Sequence, residues 1–165
     1  MAITNDIQLQ QIILNDLNSI IDEVAGKLLK NLQDSIEEIV YGAGEPAWYE
    51  RQGMKGGIQG SFEASTAVTM QNKTVEAWIE QDPMSMELDE LKNIHTSRGN
   101  DVRSILADII IKGNYDDKFY ATDKYGFWRE PRDFWEPFIK ELNKNGNKFI
   151  ESAFRMRGIV YKKLS

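Results

Sequence analysis

Phe62-Glu63-Ala64-Ser65-Thr66-Ala67-Val68-Thr69-Met70 and Val75-Glu76-Ala77-Trp78-Ile79, set on either side of Gln71-Asn72-Lys73, decide the fold. In the first run Phe62, Ala64, Thr66, Val68 and Met70 take every second position, and in the second Val75, Ala77 and Ile79 do. A period of two is that of a strand whose two sides meet different surroundings. Two such runs around three polar residues predict a β-hairpin, and Pro83 ends its second strand.

Upstream the period changes. Ile13, Leu17, Ile20, Val24, Leu28, Leu32, Ile36 and Ile39 recur at three and four residues, with Asp16, Asp22, Glu23 and Lys30 off that face. This spacing predicts an amphipathic helix. Unbroken from Asp6 to Val40 it would be roughly 50 Å long at about 1.5 Å per residue. A helix of that length invites a break, for which Gly26, or a capping box of Ser35 and Glu38, is the candidate. Between the helix and the hairpin, Gly42, Gly44, Pro46, Gly53, Gly56, Gly57 and Gly60 predict a long loop. Tyr41, Trp48 and Tyr49 within it argue for order, since disordered linkers are poor in aromatic residues.

Downstream, residues 84–99 favour no element, and Ser97-Arg98-Gly99-Asn100 reads as a turn. Asn100 is a suitable N-cap for a helix with Val102, Ile105, Leu106, Ile109 and Ile110 on one face and Gly113 at its end. Residues 115–138 hold nine of the chain's 17 aromatics, a density that must be buried or used for contact. A last helix starts near Phe134, with Pro137 acceptable in its first turn. Phe138, Leu142, Phe149, Ala153 and Met156 form its apolar face, and Gly158 stops it.

The expectation is therefore an α+β chain, with a long N-terminal helix and a C-terminal helix packed on a small antiparallel β-sheet. Its 165 residues fit a single domain over 1–165. Within it, 1–40 is helical, 41–60 a glycine-rich loop, 61–80 a β-hairpin, 100–113 a helix, 114–133 an aromatic loop and 134–158 a helix.

Charge excludes more than it identifies. The net charge of −6 argues against general affinity for nucleic acid, which requires a basic surface. Residues 1–100 carry 7 Lys/Arg against 16 Asp/Glu, whereas 101–165 carry 13 against 10. Within 144–165 six basic residues face Glu151 alone. Such asymmetry allows an acidic face of one subunit to meet a basic region of another; it equally describes a solvated helix end. No apolar run is long enough to span a bilayer, Asn5, Asp6 and Asp16 interrupt any secretory h-region, and the absence of cysteine suits a reducing cytoplasm.

A catalytic site is not evident. His95 stands beside Thr96 and Ser97 with no nucleophile elbow, acid partner or oxyanion hole suggested. The glycines of 53–60 match neither the Walker nor the dinucleotide pattern. Asp116, Asp117 and Asp123, with Asp133 further on, are oxygen ligands that suit Mg²⁺ or Ca²⁺, yet they lack calcium-loop spacing, and Lys118 and Lys124 lie among them. Tyr161, Lys162 and Lys163 are too few to grip a phosphate backbone. The expectation is a non-enzyme with no catalytic residues, no metal and no cofactor.

The stretch Val40-Tyr41-Gly42-Ala43-Gly44-Glu45-Pro46-Ala47-Trp48-Tyr49-Glu50-Arg51-Gln52-Gly53, followed by Gly56-Gly57-Ile58 and Ser61, resembles a family of small tailed-bacteriophage proteins. These are called tail-component, neck, tail-completion or head–tail joining proteins. Their pattern is a long N-terminal helix, a tyrosine, a proline, a Tyr-Glu-Arg-like triplet, then glycine, an apolar residue and a polar one before a strand. Pro46, Tyr49, Glu50, Arg51, Gly53 and Ile58 fall on those places. The helix ending at Gly113 and the closing helix with Trp135, Pro137 and Phe138 are also similar. Many members have a threonine–glycine step and a leucine where Gln52-Gly53 and Ile58 stand here.

The resemblance implies a structural virion subunit, made in the cytoplasm of the bacterial host, that forms a ring between capsid and tail. Its partners would be copies of itself and neighbouring connector, portal-side and tail proteins. DNA would pass through the lumen without specific binding, which an acidic chain suits. The residues expected at interactions are Trp48, Tyr49 and Arg51 in the loop, Phe127, Trp128 and Trp135 as aromatic anchors, and Arg155 and Arg157 beside carboxylates of the next subunit. The other reading of these aromatics is completion of the monomer's own core, and for Trp135, on the closing helix, that reading is the favoured one. Two other classes stay open on the residues alone: a small metal-dependent hydrolase using the 116–133 carboxylates, and a cytosolic protein-interaction module.

Overall fold

The computed structural model describes residues 6–42, 56–69, 74–87, 103, 106–112 and 131–160. It has the expected α+β arrangement of a long N-terminal helix, a C-terminal helix and a two-stranded antiparallel sheet. The elements are α1 (Asp6–Ile36), a π-helical turn (Glu37–Tyr41), β1 (Phe62–Thr69), β2 (Thr74–Gln81), α2 (Leu106–Lys112) and α3 (Trp135–Met156). Short 3₁₀ turns at Gln59–Ser61 and Pro83–Ser85 flank the hairpin. Among the described residues, no helix is long and apolar enough to cross a membrane.

The expected break in the first helix is absent at Gly26, which lies exposed within an uninterrupted α-helix. The change comes at residue 37, where the helix widens and the Gly42 N–H donates to the Glu37 carbonyl at 2.8 Å. Ser35 does not cap a second helix. Its hydroxyl donates instead to the Phe134 carbonyl at 2.9 Å, so the predicted capping box is replaced by a tertiary bond.

The helix at 100–113 is described from Leu106 to Lys112, with Ile110 buried on it; Asn100 and Gly113 lie outside the described residues. Pro83 ends the second strand by starting a turn. Asp82 caps that turn, its carboxylate accepting from the Met84 N–H at 2.9 Å.

α3 begins and ends where its sequence dictates. Asp133 Oδ1 accepts from the N–H groups of Trp135 and Glu136 at 2.9 and 3.0 Å, satisfying donors that have no intrahelical partner. Pro137 falls in that first turn. At the other end Ile159 N–H donates to the Phe154 carbonyl and Gly158 N–H to the Arg155 carbonyl, the two bonds of a Schellman motif. That motif needs a left-handed residue, and Gly158 supplies φ of +67°. Met156, expected on the apolar face, is 64% exposed: the buried side of α3 runs through Phe138 and Ala153, and Met156 is the last residue of the helix, beyond that buried side.

Contacts group the chain into two compact units, each assembled from separated segments. The first takes residues 1–30, 64–80 and 141–165. Its core is Ile20, Val24 and Ala153, with Ile21, Leu28, Phe154 and Ile159 packed around them. Ile159 reaches this core because the Schellman turn folds the chain back after α3. Within the same unit Thr66 Oγ1 of β1 donates to Asp22 of α1 at 2.5 Å. The second unit takes residues 31–63 and 81–140. There Leu32, Ile36 and Val40, four residues apart, are fully buried, as is Phe134.

Candidate functional site

In the second unit the end of the glycine-rich loop is fastened down. Ile58, Gln59 and Ser61 are buried, although the glycines on either side suggest only irregular chain. Gln59 Nε2 donates to the Gln33 carbonyl at 3.0 Å, and Gln33 Nε2 approaches the Gln59 carbonyl at 3.5 Å. Ser61 Oγ donates to the Ile58 carbonyl at 2.8 Å and accepts from Gln81 Nε2 at 3.2 Å. These buried polar groups are therefore bonded, as burial requires. Gly56 stands at φ +79°, and a Cβ there would lie 2.7 Å from the Glu87 Cβ while the two backbones bond through Glu87 N–H and the Gly56 carbonyl. A side chain is excluded at Gly56 twice, by dihedral and by space.

Beside this clasp sits an aromatic cluster. The Phe62 ring lies 6.2 Å from Phe134, edge to face, and 6.4 Å from Trp135, stacked. Trp135 lies 5.3 Å from Phe138. Such pairs contribute roughly 0.5–1.5 kcal/mol each beyond area burial. Arg132 holds the neighbouring backbone: its N–H donates to the Ile110 carbonyl at 2.8 Å and its Nη1 to the Val40 carbonyl at 3.1 Å. Trp135 thus joins an intrachain cluster while remaining 38% exposed.

The first unit holds the ionic centre. Arg157 Nη1 lies 2.7 Å from Glu23 Oε2, and Nη2 donates to the Ser19 hydroxyl at 2.7 Å and to the Ser19 carbonyl at 3.0 Å. Lys27 meets the other oxygen of the same carboxylate at 2.7 Å. Hydrogen bonds from Lys27 and then Arg157 hold the Glu23 carboxyl below its usual value. The carboxylate beside Arg157 is thus one of its own chain. Arg155, two residues earlier, is exposed and has no ion pair among the described residues.

Of the other residues singled out by sequence, Trp48, Tyr49, Arg51, Phe127 and Trp128 lie outside the described residues, as do His95, Asp116, Asp117, Asp123, Tyr161, Lys162 and Lys163. Asp133, the outlying carboxylate of that set, is engaged as the cap of α3. Among the described residues no three His, Cys, Asp or Glu side chains are grouped to hold a metal ion. Sequence reasoning passed over Gln33, Gln59 and Arg132, polar residues without a motif whose partners lie far along the chain. No local pattern marks them, and the burial of Gln59 beside Ile58 shows only in the fold.

A family model covering residues 5–156 matches nearly the whole chain. The chain belongs to the YomN family. That is a Bacillus phage-derived family name, and it suggests a phage-associated protein. No curated protein and no solved structure matches the chain.

Proposed function

We propose that this chain is a structural subunit of a tailed-phage particle, joining head to tail as one copy in a ring, and that it is not an enzyme. The observation that carries the reading is the family match over residues 5–156, with its phage-derived name. The similarity of Pro46, Tyr49, Glu50, Arg51, Gly53 and Ile58 to the neck and tail-completion pattern supplies the finer assignment. The partners in this reading are further copies of the chain, portal-side and tail proteins, and DNA passing through the lumen. A net charge of −6 supports passage without grip on phosphate. The protein would be made in the host cytoplasm and end in the virion.

Electron microscopy of particles assembled without this protein tests the reading. Separate heads and tails are expected; joined, infectious particles would overturn it. The non-enzymatic part has its own test. Replacing Asp116, Asp117 and Asp123 together by asparagine should leave particle joining intact, and tight calorimetric binding of Mg²⁺, Mn²⁺ or Ca²⁺ by the wild-type chain would overturn it.

A further inference from the structure

The outward face of the hairpin is acidic around an exposed aromatic ring. Ser65 Oγ donates to Glu80 Oε1 at 3.0 Å, which places Ser65 and Glu80 on one face of the sheet. Thr66, bonded to Asp22 of α1, is on the other. Alternation along β2 then puts Glu76, Trp78 and Glu80 together on the face turned away from α1. All three are exposed, Trp78 by 43%. Glu76 and Glu80 are roughly 13 Å apart along the strand, with Trp78 midway. Neither carboxylate has an ion pair among the described residues. Two carboxylates flanking an indole form a surface for cations: the carboxylates take the charge and the ring face takes a guanidinium or ammonium.

The same unit carries a complementary surface. At 3.6 residues per turn, Lys144, Lys148 and Arg155 fall within about 40° of one another on α3, opposite Leu142, Phe149 and Ala153. They extend over roughly 16 Å of helix. All three are exposed and without an ion pair among the described residues. Of the acids near them, Glu151 is half-buried and Glu141 is engaged by Asn145 at 2.6 Å. Because α3 packs its other side into the Ile20–Val24–Ala153 core, and the hairpin turns its other face to Asp22, the two surfaces point away from each other. They cannot satisfy one another within one copy. Two different, mutually complementary patches make a head-to-tail contact, the kind that closes into rings.

We infer that the hairpin face of Glu76, Trp78 and Glu80 docks the α3 face of Lys144, Lys148 and Arg155 of a second copy. This rests on the ring reading above and names the surfaces by which neighbours meet. Arg155, unlike Arg157, is the arginine available for the contact.

Reciprocal charge reversal tests it. One variant carries E76K and E80K, the other K144E and K148E; all four positions are exposed, so circular dichroism and thermal melting should show both folded. Self-association is followed by sedimentation velocity at low and high salt. Wild-type association should weaken as salt rises, and each variant alone should associate about tenfold or more weakly at low salt. Mixing the two variants should restore association, because each reversed patch then meets a reversed partner. Wild-type chain that stays monomeric throughout overturns the inference, as do variants that associate like wild type. Loss in each variant without recovery in the mixture also overturns it, because each face would then contribute to association without meeting the other. The head–tail reading stands or falls separately, on whether particles made without the protein remain joined.

Discussion

Arg157 and Glu23, 134 residues apart in sequence, meet at 2.7 Å and join the end of the last helix to the middle of the first. Both terminal nitrogens of the guanidinium are engaged: beyond Glu23 they bond the hydroxyl and carbonyl of Ser19, and the Ala153 carbonyl at 3.2 Å. Arg157 belongs to the turn after α3 whose geometry Gly158 sets, so one local motif places both this ion pair and the Ile159 side chain in the first unit's core.

This relationship has a pH signature. Glu23 has its folded-state pKa lowered from the ordinary value of 4.5 by Lys27 and Arg157. A carboxyl depressed in the folded state stabilises fully above its unfolded pKa, and the contribution is lost as pH falls through the lower folded value. Wild type should therefore lose melting temperature below about pH 4.5 more steeply than Glu23→Gln. At neutral pH the variant should melt lower. Parallel acid limbs for the two proteins would show that this pair contributes nothing to the pH dependence.

Asp133 should behave as a helix cap. Replacing it with alanine removes the acceptor for two backbone donors and should cost about 1 kcal/mol in denaturant unfolding. Asparagine keeps an acceptor oxygen and should recover most of that. A divalent-metal ligand would show the opposite pattern, with unfolding sensitive to chelator and Asp133→Asn no better than Asp133→Ala.

The two-period alternation of Phe62–Met70 and Val75–Ile79, and the three-and-four spacing from Ile13 onward, made the hairpin and first helix legible as elements, although Ile13 and Val75, placed on their apolar faces, are 46% and 40% exposed. Gly158 and Pro137 likewise marked the limits of α3 through backbone constraints visible in a single residue. What could not be read was tertiary. Ser35 followed by Glu38 is an acceptable capping box in isolation, and only the approach of Phe134 makes its hydroxyl a long-range donor. Arg157 looked available to another subunit because charge counts cannot show that Glu23 and Ser19 fold against it. Gln59 and Gln33 exchange carbonyl contacts across 26 residues, and no local pattern announces such a pair.

Gly56 and Gly158 both have positive φ, yet they should differ under substitution. At Gly158 nothing lies within 4 Å of where a Cβ would stand, so Gly158→Ala should cost only the conformational term, about 1–2 kcal/mol. Asparagine, which tolerates this region better, should cost less. Gly56→Ala meets the same penalty and in addition a 2.7 Å approach to the Glu87 Cβ, where part of the obstruction is backbone. Its unfolding midpoint should fall further than that of Gly158→Ala. Equal midpoints would mean that the Gly56–Glu87 segment shifts without resistance.

Trp135 separates a core role from a contact role. Phe134 is fully buried between Phe62 and Trp135, so Phe134→Ala should cost roughly 3–5 kcal/mol, as large-to-small changes in a packed core do. Trp135 stacks on Phe62 and tilts against Phe138, but more than a third of it stays exposed. Truncating it removes three ring contacts, with Phe62, Phe134 and Phe138, but less buried area, so Trp135→Ala should destabilise by less than Phe134→Ala. If its exposed edge serves only the monomer, particle joining should fall in step with the stability lost. If it also meets a neighbouring subunit, joining should fall further, because aromatic anchors carry a disproportionate share of interface energy. Trp135→Phe refines the comparison: it keeps a ring for Phe62 and Phe138 while shortening the exposed edge. Unfolding midpoints and particle yields for the three variants give the answer, and a Trp135→Ala midpoint as low as that of Phe134→Ala would place Trp135 wholly in the core.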